Sequence, residues 1–399
     1  MAAIQDIFTK YYNQCEKEYA LANHARKAAW NIINCRTEAM GGHIQKCPDG
    51  HFYRVWYNSC KHRSCPQCTG MQKEEWKRKQ TAKVLDTHHH HAVFTIPHEL
   101  NELWLLNPKK ITGILFKSVK EALFNMLSNK KFLGATPGMI ATLQTWGENL
   151  AFHPHLHCLI TGGGVTKAEN WKESKENYLL PVQELMKVFR GKFLDEIHNT
   201  VYNGEMEIPS NKNYYETHEM LRKERKKDWN VNIDREAVYG NGVIKYLGDY
   251  IKGGPISNRR IIFYNEKEVK FYYKDNKDGR KRKIMTLRTE EFIRRFLLHV
   301  PRPHLKVVRH YGLYASCKKE GLNRCRKLLG QDGVKDIENL KWQDYCESEG
   351  KNDKSICPEC GKKLIKGQEF KSGSLALLLI ILGKKLSDDL ILKDRELIA

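Results

Sequence analysis

Three groups of residues in this chain have types and spacings that could carry chemistry. The first is Cys47-x3-His51, followed by Cys60 and by Cys65-x2-Cys68. Zinc takes four soft or borderline ligands in a tetrahedron, and a Cys-x2-Cys knuckle supplies two of them at once. Five candidates are one too many for a single ion. The preferred set is Cys47, His51, Cys65 and Cys68, with Cys60 as the substitute for His51. Lys61, Arg63, Lys73 and Arg78 flank the knuckles, which suits a module that meets DNA phosphates.

The second group is His155-Leu156-His157, preceded by His153-Pro154. In a strand, residues i and i+2 share a face. His155 and His157 then point the same way, with Leu156 turned into the core. Two imidazoles on one face are half of a metal site. Gln144, on the strand expected just before, alternates with Thr142 and Trp146 and could reach that face; Glu148 and His91 are further candidates. The row His88 to His91 is expected at a strand edge, with at most one or two of the four pointing inward.

The third group is Tyr246-Leu247-Gly248-Asp249-Tyr250. Tyrosines at i and i+4 lie on one face of a helix. That spacing alone fits an aromatic packing stripe equally well. Gly253-Gly254-Pro255 and Ser257-Asn258-Arg259-Arg260 come next in the chain, a polar and basic turn suited to phosphate. A smaller motif, Cys357-Pro358-Glu359-Cys360-Gly361, reads as half a zinc ribbon, with Cys346, Cys325 and Cys317 as its candidate partners.

These residues need elements to hold them. Apolar spacing predicts helix in residues 1 to about 40, in Gln72–Lys83, Ile111–Leu127, Val182–Ile197, Asn241–Ile251 and Thr289–His299. Strands are expected at Ala92–Ile96, Met139–Trp146 and His155–Ile160, and as a pair at Ile261–Tyr264 and Val269–Tyr273. Residues 165 to 230 are polar and lysine-rich and read as an elaboration on the core. Charge runs sit at Arg222–Lys227 and Arg280–Lys283.

Composition narrows the class of function. The 399 residues allow two or three domains, and 41% hydrophobic residues allow a sizeable core. Sixty-eight basic against 47 acidic residues give +21, spread along the chain. A protein this basic usually meets a polyanion, most commonly nucleic acid. Nothing in Met1–Gln14 resembles an export signal. The longest apolar run, Leu375–Leu382, is far short of the roughly 20 residues that span a bilayer. A cytoplasmic, nucleoid-associated protein with no membrane partner is expected.

The order of motifs resembles a known family. Cysteine knuckles, His-Leu-His before a glycine triplet, and Tyr-x3-Tyr before Pro-Ile-Ser-Asn-Arg-Arg are similar to the two-tyrosine HUH transposases of rolling-circle insertion sequences, the IS-ninety-one group. The likeness covers most of residues 5 to 315. It includes Cys35-Arg36-Thr37, Asn58-Ser59-Cys60, Arg63-Ser64-Cys65-Pro66-Gln67-Cys68, Val93-Phe94-Thr95-Ile96-Pro97, Thr145-Trp146-Gly147 and Arg309-His310-Tyr311-Gly312. Two features depart from it: the family often has a second cysteine near His51, and the likeness fades after about residue 365.

The resemblance implies DNA transposition and recombination by a metal-dependent endonuclease. Mg²⁺ or Mn²⁺ on His155 and His157 would act as a Lewis acid on a phosphodiester, with Gln144, read from strand alternation, as the first candidate for a third ligand. Tyr246 and Tyr250 would attack in turn, giving 5′-phosphotyrosine and a free 3′-OH. Zn²⁺ would be structural, and the partner would be DNA, mainly single-stranded transposon ends, with Arg63, Arg259 and Arg260 on phosphates.

The expected fold is α+β: an antiparallel-sheet HUH endonuclease core crossed by a tyrosine-bearing helix, preceded by a small zinc-binding module and followed by a mostly helical region. The boundaries read 1–85 for the zinc-binding DNA-recognition domain and 86–265 for the catalytic core with its insertion near 165–230. A strand pair and helical region at 266–345 and a second Cys-x2-Cys element with the tail at 346–399 complete the chain. Two rivals use overlapping features. A replication initiator or relaxase would apply the same chemistry elsewhere, and a catalytically decayed relative would keep only zinc-dependent DNA binding.

Overall fold

The two longest strands among the described residues, Gly138–Trp146 and Phe152–Thr161, pair antiparallel at the centre of the main sheet. The sheet order is Val308–Gly312, Gly138–Trp146, Phe152–Thr161, His88–Thr95 and Val231–Ile233, with the short Val238–Tyr239 also on His88–Thr95. The computed structural model describes residues 3–175, 177–234, 238–239, 248, 254–275 and 278–374. Tyr246 and Tyr250, and the apolar run Leu375–Leu382, lie outside the described residues.

Strand alternation sorts the side chains of this sheet. Phe94, Met139, Ala141, Leu143, Leu156, Cys158 and Ile160 join one buried cluster with Leu115, Phe116 and Val119 of helix Pro108–Ser128. Pro108 suits a helix start, because its missing N–H is one that the first turn leaves unpaired in any case. The lysine-rich segment 165–230, expected as an elaboration, also feeds this core. Its helix Val182–Tyr202 contributes Leu185, Phe189 and Phe193, and Phe94 meets Phe189 edge to face at 5.2 Å. Each fully buried phenylalanine contributes up to about 3 kcal/mol of hydrophobic stabilisation. The lysines cover the outer face and hide that apolar stripe in the composition. Helix Tyr214–Lys226 starts on a reciprocal cap between Asn213 and Glu216, at 2.9 and 2.8 Å.

A second core joins the N-terminal helices to residues 256–300. The N-terminal region is two helices, Ala3–Glu18 and Asn23–Asn34. They pack on helix Thr289–Leu298 and on a three-stranded meander, Ile261–Tyr264, Glu268–Asp275 and Lys281–Arg288. Ile4, Ile7 and Phe8 are fully buried with Phe271, Phe292 and Phe296, and Phe8 meets Phe296 at 5.2 Å. The expected strand pair thus gains a third strand, which begins inside the basic run Arg280–Lys283. Region 266–345, expected as a strand pair and helices, also supplies strand Val308–Gly312 at an edge of the main sheet.

A third sheet places Gly42–Lys46 between Tyr53–Tyr57 and the distant Ile365–Phe370. No helix among the described residues is long and apolar enough to cross a membrane.

Candidate functional site

The sheet face opposite the helices carries the polar residues. Register puts Gln144 directly across from His155 and Thr142 directly across from His157. All four are buried. His155 Nε2 lies 3.1 Å from His157 Nε2, which lies 3.2 Å from Gln144 Oε1. The amide nitrogen of Gln144 donates to Trp146 O at 3.0 Å, so its oxygen is the atom turned toward the histidines. Thr142 Oγ1, buried on the same face, has no hydrogen-bond partner among the described residues.

Partners outside the trio set the tautomers. His155 Nδ1 donates to His153 O at 2.7 Å, which leaves a lone pair on Nε2. Asp234 Oδ2 accepts from His91 Nδ1 at 2.6 Å, and His91 Nε2 faces His157 Nδ1 at 3.0 Å. With neutral rings, His91 Nε2 accepts from His157 Nδ1–H, and the lone pair of His157 Nε2 then also points inward. Burial holds the His155 and His157 rings neutral: it lowers His155 to about 4 and pushes His157 well below the ordinary histidine range, with neighbouring imidazoles adding to both. The hydrogen bond from His91 keeps the Asp234 carboxyl below its usual value.

Three acceptor lone pairs therefore gather around His157 Nε2, an arrangement that repels itself unless a positive charge sits among them. Neighbouring ligands of an octahedral ion bound at about 2.1 Å stand roughly 3 Å apart, and these atoms are 3.1 and 3.2 Å apart. The donor set of two imidazoles and one amide oxygen fits a divalent cation.

His91 is thus placed behind His157. Asp234, which no local spacing singles out, stands behind His91. The expectation that His88–His91 lie at a strand edge is corrected. Short strands beyond the insertion flank His88–Thr95 on its outer side, and all four histidines are buried. His89 bonds Tyr314 Oη at 2.7 Å and Thr87 O at 2.9 Å, while His88 and His90 share Ser174 Oγ at 3.1 Å. Glu148 turns to Arg260, 3.5 Å away.

The cysteines divide differently from the preferred set. Cys35, Cys60, Cys65 and Cys68 form one cluster; Cys47, His51, Cys357 and Cys360 form another. Cys47 and His51 flank the turn that closes the hairpin Gly42–Lys46 and Tyr53–Tyr57, whereas Cys60 follows its open end. Five extended residues at about 3.3 Å each separate those ends by roughly 16 Å, beyond the reach of one tetrahedral ion. Cys35, at the end of helix Asn23–Asn34, is the ligand that spacing missed. Its Sγ is 3.4 Å from Cys68 Sγ, which is 3.6 Å from Cys60 Sγ. Gln5 donates to Cys35 O and Ile33 O at 2.8 and 2.9 Å, so the first helix braces this cluster. Cys317, Cys325 and Cys346 belong to neither cluster.

Of the candidate phosphate contacts, Arg63 and Arg259 are exposed. Arg260 is occupied: it donates to Tyr272 O at 2.7 Å and to Glu148 O, and lies 5.7 Å from the Phe271 ring centroid. It braces the meander against the end of the main sheet.

The family described as "Putative transposase" matches residues 138–321, and the family described as "Transposase zinc-binding domain" matches residues 7–96. The chain is 32% identical over 367 residues to the "Putative transposase y4qJ" of Sinorhizobium fredii, across 90% of this chain and 92% of that protein. It is 25% identical over 322 residues to the "Transposase for insertion sequence element IS801" of Pseudomonas savastanoi pv. phaseolicola, across 78% and 76% of the two. No solved structure matches the chain. With matched sequence on the histidine sheet and on the four-cysteine cluster alike, the chain belongs to the insertion-sequence transposases of the IS-ninety-one group and carries their N-terminal zinc-binding domain.

Proposed function

We propose that this transposase nicks and rejoins single-stranded DNA at insertion-sequence ends, by rolling-circle transposition through 5′-phosphotyrosine intermediates. The observation that carries this reading is the convergence of Gln144 Oε1, His155 Nε2 and His157 Nε2 on one buried face of an antiparallel sheet. These residues make the HUH core of the proposal. Bound there, Mg²⁺ or Mn²⁺ supplies positive charge to a non-bridging phosphate oxygen.

The protein's own atoms do the rest. A tyrosine hydroxyl, from Tyr246 or Tyr250, attacks phosphorus. The bond from phosphorus to the 3′ oxygen breaks, and that oxygen leaves as a protonated 3′-OH. The phosphotyrosine ester keeps the bond energy, so a 3′-OH of another end can displace the tyrosine and reseal the strand. Within that segment Gly248 is helical and buried, and a Cβ on it would lie 2.4 Å from Lys77 Cε. Gly248 thus packs against helix Thr69–Thr81 of the zinc-binding domain.

A cavity of about 420 Å³ beside the same sheet is lined by Trp104, Trp146 and Phe152 together with Arg63 and Arg302. Aromatic faces with cations beside them suit unpaired bases and their phosphates. The reaction would take place on DNA in the cytoplasm. Incubating the protein with labelled single-stranded ends and Mg²⁺ or Mn²⁺ should give a covalent adduct that survives denaturation; no adduct with either ion would overturn the proposal.

Two further outcomes are expected. Asp234→Asn should lower cleavage about 10- to 100-fold, the usual cost of losing a partner of a metal ligand, because His91 then no longer fixes the tautomer of His157. Raised Mn²⁺ should recover much of the loss. Asp234 is 46% exposed, so folding should be unaffected. Unchanged metal dependence would exclude the relay.

Replacing Cys65 and Cys68 by serine should remove zinc from the four-cysteine cluster and melt the N-terminal module. Structural zinc contributes an apparent 10–16 kcal/mol or so to such folds. Metal content, protease resistance and affinity for the DNA ends should fall together. Pure wild-type protein without zinc would exclude this role.

A further inference from the structure

We propose that Cys47, His51, Cys357 and Cys360 bind a second structural zinc, which staples the C-terminal part of the chain to the N-terminal module. The ligand atoms of these four residues all lie within 4.8 Å of one another. Cys47 Sγ is 3.5 Å from Cys360 Sγ and 3.9 Å from His51 Nδ1. Sulfur and nitrogen atoms bound to tetrahedral zinc at about 2.3 and 2.0 Å stand roughly 3.5–3.8 Å apart, so the spacing fits one ion.

The surroundings are built as two facing knuckles. In the first, Cys47 N donates to Phe52 O at 2.8 Å and Gly50 N to Cys47 O at 3.0 Å. In the second, Cys357 N donates to Lys362 O at 2.8 Å and Gly361 N to Cys357 O at 3.0 Å. Gly50 and Gly361 both take positive φ, at 80° and 71°, where a side chain would be strained. Lys362 pairs with Asp49 at 2.8 Å across the gap, and Leu364 and Phe52 pack beneath. Just beyond the second knuckle, Ile365–Phe370 pairs with Gly42–Lys46.

Cys47 and Cys360 are 313 residues apart in sequence. Closing so long a loop is entropically costly for a three-stranded sheet alone, and a metal bond repays that cost locally. The matched zinc-binding domain, residues 7–96, contains only two of these four ligands. A chain cut short before Cys357 therefore keeps every ligand of the first cluster and loses half of the second. This site does not depend on the strand-joining chemistry.

Zinc analysis of purified full-length protein tests the proposal. Wild type should hold two zinc ions per chain, Cys357→Ser/Cys360→Ser one, and Cys346→Ser two. The double variant should also become cleavable by protease after about residue 350. One zinc or fewer in wild type, or two in the double variant, would overturn it. If the double variant cannot be purified, His51→Cys decides. With Co²⁺ in place of zinc it should keep two ions and gain thiolate-to-cobalt charge-transfer absorption, and an unchanged spectrum overturns the site.

Discussion

The double variant Tyr246→Phe/Tyr250→Phe is expected to form no covalent adduct with single-stranded ends, while each single variant still forms some. The two tyrosines are four residues apart, which on a helix is about 6 Å along the axis at 1.5 Å per residue. On the proposed chemistry either hydroxyl would approach one metal-bound phosphate, but both would not hold the same in-line position together. Phenylalanine keeps the ring and removes only the nucleophile, so stability should change little. Complete transposition should fail in either single variant, because cleavage and transfer need two carriers. A denaturing gel and a transposition assay measure the two levels separately. Wild-type transposition by Tyr246→Phe would make Tyr246 a packing residue and leave one nucleophile.

Alanine at His155 or His157 should abolish nicking while binding to the same DNA survives. Losing electrostatic stabilisation of the reacting phosphate costs about 10²–10³-fold in comparable sites, and each histidine supplies one of three converging donors. His157 should be the more sensitive, since its Nδ1 also meets the Asp234–His91 pair. Binding should persist because the exposed Arg63 and Arg259 stand outside the trio. Nicking rates across a Mn²⁺ titration, beside gel-shift affinities, give both readouts. Undiminished nicking by the double alanine variant would remove the metal from this face.

Local pattern was enough to read much of what positions these residues. Alternation around Leu156 points His155 and His157 to one face, and the same period along Thr142, Gln144 and Trp146 brings Gln144 to their side. Strand pairing then sets Gln144 across from His155. Helix Pro108–Ser128 was legible because its apolar residues recur at helical spacing.

Partners brought in across the insertion were not legible. Asp234 lies just past strand Val231–Ile233, whose three residues carry no periodic signal. Only the pairing of that strand with His88–Thr95 delivers its carboxylate to His91. The same holds for the cysteines. Spacing identifies knuckles but cannot say which two share an ion, and proximity in sequence favours Cys47 and His51 with Cys65 and Cys68. The hairpin decides otherwise. Its extended strands carry Cys47 and His51 to the tip, where Cys357 and Cys360 arrive, and leave Cys60, Cys65 and Cys68 near the base, where the end of helix Asn23–Asn34 presents Cys35. Residue types and local periods thus determined which groups can bind a metal, while the rigid length of two paired strands determined which of them meet.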